Sequence, residues 1–115
     1  MITFKDLTEW IIRNRTGASF KDYTELHIIG MLDRCAKDNT MLVIHHNDII
    51  EGIVCGRVLN DDKVFYVDDI LTLRKGLVKQ MMRTFVMRFP GYTIQGRHRS
   101  GRERNFNSDK LFRKL

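Results

Sequence analysis

Apolar and polar positions alternate along this chain with two periods, and the switches between them mark the elements. Phe4, Leu7, Ile11 and Ile12 share one helical face, with Thr3 placed as the cap and Asp6 in the first turn. Arg13, Arg15 and Gly17 suit the end of that helix, and Met1 to Thr3 could instead form a short edge strand leading into it. Ser19 with Asp22 predicts the start of a second helix, whose inward face is Ile28, Met31, Leu32, Cys35 and Ala36. Lys37-Asp38-Asn39 closes it. Met41 to His45 is rich in strand formers, Asn47-Asp48 makes a turn, and Ile49 to Leu59 is a second strand. Gly52 and Gly56 inside it predict a bulge or a close backbone approach. After the turn Asn60-Asp61-Asp62, Lys63 to Leu71 is apolar on both faces, which predicts a central strand.

The links between these three strands are too short for crossovers, so they form an antiparallel meander. Leu77, Val78, Met81, Met82, Phe85, Val86 and Phe89 make an apolar helical stripe that Pro90-Gly91 stops. Tyr92 to Arg97 is a fourth strand, parallel to the third through a right-handed crossover. Ser108 to Leu115 predicts a short basic helix with Leu111, Phe112 and Leu115 inward. The expected architecture is a single α+β domain over 1–115 with a mixed sheet.

Charge adds a second feature. The chain of 115 residues carries a net charge of +6, which favours anionic partners. Most of that excess lies in the basic segment 97–115. There Arg97, Arg99, Arg102 and Arg104 alternate along a stretch read as extended. Residues two apart on such a stretch share a face, a row suited to phosphates of nucleic acid or to an acidic protein surface. Aromatic residues are scarce nearby, so base stacking is poorly supported.

Other classes recede. No apolar run is long enough to span a membrane, and the N-terminus lacks the pattern of a secretory signal. Cys35 and Cys55 fall inside apolar patterns on different elements and read as reduced core thiols. His45 and His46 are neighbours on a strand and point opposite ways, so they do not chelate one ion together. A cytoplasmic setting fits these features.

The stretch Ile70 to Met82 reads as a strand, a very short loop and a helix, with Arg74, Lys75 and Gly76 in the turn. Unpaired N–H groups at a helix start, here those of Gly76, Leu77 and Val78, can hold a phosphate. An ordinary strand-to-helix turn would look the same.

The element order resembles that of the GNAT family of acyl-CoA-dependent N-acetyltransferases. That fold runs strand, two helices, three strands, helix, strand and helix, usually with two more strands, and has helices on both faces of the sheet. Lys75-Gly76-Leu77-Val78-Lys79-Gln80 is similar to the end of the family's pyrophosphate loop, Arg/Gln-x-x-Gly-x-Gly/Ala. Asn105 to Leu115 matches the spacing of its last core helix, Asn-x-x-Ala-x-x-Phe-Tyr-x-Lys-Leu. Two positions depart: Val78 stands at the second glycine, and Phe112 at the tyrosine that often protonates the leaving thiolate.

The resemblance implies acetyl-CoA as cofactor and an amine as acceptor. It implies backbone groups of Ile70, Leu71 and Thr72 on the pantetheine arm, and Arg74, Lys75, Gly76, Leu77 and Val78 on the pyrophosphate. Asn105 joins the cofactor contacts, and Asp68 or Asp69 is the candidate base. A salt bridge at the strand end is the other reading of those aspartates. The compact basic character is similar to small GNAT-like proteins of tailed phages, which would place the chain in a host cytoplasm or a virion. The alternative function is a non-catalytic binding or virion-associated module that uses the basic segment to bind nucleic acid or an acidic protein surface.

Overall fold

The computed structural model describes residues 1–17, 19–97 and 103–106. Its elements are α1 (Phe4–Asn14), α2 (Glu25–Asp38), β1 (Met41–His46), β2 (Ile49–Leu59), β3 (Val64–Thr72), α3 (Leu77–Arg88), β4 (Thr93–Arg97) and β5 (Glu103–Phe106). The five strands form one mixed sheet in the order β1-β2-β3-β4-β5. β1–β2, β2–β3 and β4–β5 pair antiparallel, and β3–β4 pair parallel with α3 as the crossover. β3 is the central strand, as its two apolar faces predict.

Local chemistry sets most boundaries. Thr3 and Asp6 form a reciprocal capping box at the start of α1: Asp6 N–H donates to Thr3 Oγ1 at 3.0 Å, and Thr3 N–H donates to Asp6 Oδ2 at 2.9 Å. Met1 to Thr3 therefore leads into a helix and is not a strand. Asn39, in the left-handed conformation at φ 59, ends α2.

The expected start of α2 at Ser19 is corrected. Phe20 and Asp22 have φ of 57 and 62, a region no α-helix uses, and Thr24 is the cap, accepting from His27 N–H at 3.2 Å. What bends the chain here is tertiary. Phe20 is fully buried, an anchor worth about 2–3 kcal/mol in removed apolar surface. It offsets most of the cost of two left-handed residues, about 1–2 kcal/mol each, and the hydrogen bonds from Arg15 and to Asp69 add to it.

Helices cover both faces of the sheet. On one face Leu7, Trp10 and Ile11 of α1 and Ile28, Leu32 and Cys35 of α2 pack with Ile53 and Cys55 of β2 and Leu71 of β3. On the other, Leu77, Met81, Met82 and Phe85 of α3 pack with Val54, Phe65, Val67 and Ile94. Phe65 stacks on Phe85 and Phe89 with ring centroids 4.3 and 5.1 Å apart. Among the described residues, no helix is long and apolar enough to cross a membrane.

β5 was not expected as a strand. It pairs antiparallel with β4 and sets Asn105 opposite Gln95. Asn105 is thus a strand residue, which corrects its expected place at a helix start; the sheet edge offered by β4 wins over local pattern. The expected helix over Ser108–Leu115 lies outside the described residues.

Candidate functional site

The site grows out of an irregularity in β3. Along β2–β3, Cys55 pairs with Asp69 but Gly56 pairs with Val67, so Asp68 is an extra residue in the central strand. A bulge of this kind reverses the alternation of side chains. Phe65 and Val67 face α3, whereas Leu71, which lies an even number of residues further on, packs against α1 and α2. Gly56 allows the close approach opposite the bulge: a Cβ there would strike Tyr66 O and come within 2.8 Å of the Phe65 ring.

The bulge also coincides with the end of the described β3–β4 pairing. β3 pairs with β4 from Val64 to Val67, against Thr93 to Gly96. From Asp69 to Thr72, β3 keeps β2 on one side and has no β4 partner among the described residues. Ile70 N–H donates instead to Ser19 Oγ, at a long 3.5 Å.

The two aspartates have different surroundings. Asp69 is 4% exposed, and both of its oxygens are occupied. Oδ1 accepts Phe20 N–H at 2.8 Å and Oδ2 accepts Tyr23 O–H at 3.1 Å. Burial pushes its carboxyl above the ordinary range, with these two hydrogen bonds pulling the other way. Burial, followed by the Asp69 charge, pushes the Tyr23 hydroxyl up to about 12. Asp68 is 22% exposed and ion-paired with Arg57 at 3.3 Å, the strand salt bridge that the sequence left open. It lines a pocket of about 410 Å³ together with Tyr23, His27 and Arg34.

The β3–α3 loop lies at the far end of the same strand. Leu73 N–H donates to Glu51 O at 2.9 Å, and Arg74 Nε donates to Glu51 Oε2 at 3.0 Å. That hydrogen bond from Arg74 holds the Glu51 carboxyl below its usual range. Lys75 is exposed. Gly76 caps α3 at φ 87, with no side-chain cap bond and no acidic residue in the first turn. The helix start therefore presents its amides without a resident anion.

The sequence-predicted residues thus divide. Asp68, Asp69, Ile70, Leu71 and Thr72 share the half of β3 beyond its described pairing with β4, and Arg74 to Val78 follow closely. Arg97 and Arg104 lie in the β4–β5 pair, with Arg104 opposite Gly96 and Arg97 opposite Glu103; Arg97 directly follows Gly96, the β4 partner of Val67. Arg99 and Arg102 lie outside the described residues. Sequence reasoning missed Ser19, Tyr23, His27 and Arg34, because it put Ser19 to Tyr23 inside a helix. The placement of Phe20, an apolar residue off the predicted inward face, is the signal that could have found the turn.

Comparisons with family models, curated proteins and solved structures return no match to this chain.

Proposed function

We propose that this chain binds acetyl-CoA and transfers its acetyl group to an amine, in the manner of the GNAT family that its element order resembles. The observation that carries the reading is that the described β3–β4 pairing ends at Val67, at the Asp68 bulge, with a short loop and a helix start without a side-chain cap following on the same strand.

In this reading the pantetheine arm runs along β3 from Thr72 toward Asp68 and takes the Ile70 amide from its long contact with Ser19. The pyrophosphate sits at the Gly76, Leu77 and Val78 amides with Lys75 beside it. Arg74 either stays on Glu51 or turns to the phosphate; its exposed salt bridge is a weak tether. Asp68, half-buried at the pocket, takes the proton from the acceptor ammonium. The amine nitrogen then bonds to the thioester carbonyl carbon, the C–S bond breaks, and CoA leaves as the thiolate, which takes up the second proton that the nitrogen sheds. Asp69 holds the Phe20–Tyr23 turn against the strand.

The test is thermal unfolding with acetyl-CoA at ~1 mM. A dissociation constant near ~10 μM would stabilise the protein by about 2.7 kcal/mol. Gly76→Val, which puts a branched side chain at a left-handed position on the approach, should abolish the shift. A melting temperature that moves with neither CoA nor acetyl-CoA would refute the reading.

A further inference from the structure

Gly30 lies in the interior of α2. Glycine there weakens a helix relative to alanine, so it calls for a reason. The fold supplies none: a Cβ built on Gly30 meets no atom within 4 Å. Gly30 does line the pocket of about 410 Å³ beside the Asp68 bulge. The missing side chain keeps space open for something outside the fold.

The rest of the lining says what. His27, Gly30 and Arg34 follow at i, i+3 and i+7, one helical face about 10 Å long. Tyr23 stacks on His27 with ring centroids 4.2 Å apart and forms a flat wall at one end. Arg34 at the other end makes no ion pair with a carboxylate among the described residues; its described polar contact is Cys35 Sγ at 3.6 Å. Asp68 brings a carboxylate to the same pocket, and Met31 an apolar surface. An open pocket of this size suits a small molecule, and its lining holds the Arg34 guanidinium and the Asp68 carboxylate, which a ligand amine would share with Arg57.

We propose that the pocket takes a free amino acid: Arg34 holds its carboxylate, Asp68 faces its amine, and its side chain lies over Gly30. Its role as the acetyl acceptor rests on the acetyl-transfer reading. Asp68 would take one proton from the ammonium, and the amine nitrogen would then displace the CoA thiolate, which takes the second proton, giving the N-acetyl amino acid and CoA. Binding itself needs no cofactor.

The experiment is amide NMR of the full chain titrated with the standard free amino acids and their C-terminal amides, each at about 10 mM, enough to reveal millimolar affinity. At least one free amino acid should shift the Gly30 and Arg34 amides, and its amide derivative should bind at least tenfold more weakly. Arg34→Gln should remove that preference. Gly30→Ala should raise the melting temperature by about 3–5 °C while weakening the amino acid at least tenfold. The proposal is overturned if no free amino acid binds, if the amides bind equally well, or if Gly30→Ala leaves affinity unchanged or lowers stability. A parallel acetyl-CoA titration separates the two readings. Amino-acid binding without acetyl-CoA binding would leave the pocket standing and remove acetyl transfer; the reverse would remove the pocket alone.

Discussion

Asp69 and Phe20, 49 residues apart in the chain, are joined by a buried hydrogen bond of 2.8 Å from the Phe20 N–H to Oδ1. The second oxygen takes the Tyr23 hydroxyl, while Arg15 Nη1 donates to the Phe20 and Tyr23 carbonyls at 3.1 and 2.8 Å. Two side chains thus satisfy the turn that precedes α2. Asp69→Ala leaves a buried N–H without an acceptor, at a cost of about 2–3 kcal/mol. Urea unfolding should show this loss, and the Gly30 face of α2 should lose its NMR ligand response with it.

The same carboxylate sets a pH dependence. Burial raises its folded pKa above the ordinary 3.8, so between the two values the folded chain holds more of this proton than the unfolded chain. The contribution to stability is fully present below 3.8 and is lost as pH rises through the higher, folded value. Asp69→Asn removes that slope. The stability of the native chain minus that of Asp69→Asn, followed by urea unfolding from acid to neutral pH, should fall with rising pH.

Gly56 faces the bulge without room for a side chain. Its Cβ would meet a carbonyl oxygen of the neighbouring strand, which cannot swing aside, as well as the Phe65 ring at 2.8 Å. Gly56→Ala should cost about 3 kcal/mol or more, as a severe overpacking does. Denaturant midpoints for Gly56→Ala and Gly30→Ala should move in opposite directions, although both exchange glycine for alanine inside a regular element.

Cys35 and Cys55 are free and fully buried, and the Cys35 S–H donates to Gly56 O at 3.4 Å. The Cys55 S–H stabilises a thiolate on Cys35 and lowers its pKa to about 6, against the effect of burial. The same interaction, with burial, pushes Cys55 well above 9.0. Ultraviolet thiolate absorbance of the folded protein should therefore rise in one step near pH 6. Cys55→Val should move that step upward. Iodoacetamide should label neither thiol until the chain unfolds, because neither sulfur is exposed.

Periodicity carried much of this fold. The stripe from Leu77 to Phe85 gave α3, and the short polar turns gave the meander, because these elements are held mainly by their own patterns. Gly52 and Gly56 marked both register shifts, at Ile44/His45 and Cys55/Gly56. The turn before α2 was not legible, since Ser19 and Asp22 mimic a capping pair and only the burial of Phe20 and the reach of Asp69 decide the outcome. β5 was hidden for a similar reason: a short charged segment becomes a strand through its partner β4. The pocket on α2 could not be seen at all, because it joins a helix face to a strand bulge distant in sequence.

The extra residue at Asp68 also fixes the alignment of the whole sheet. β3 presents Phe65 and Val67 to one core and Leu71 to the other, so the strand changes sides halfway along its length. Sliding by one residue would send Phe65 and Val67 toward α1 and α2 and Leu71 toward α3, each into the wrong core. The two aspartates are pinned at the crossover point of this double lock, and a reactive group kept there inherits the rigidity of two cores.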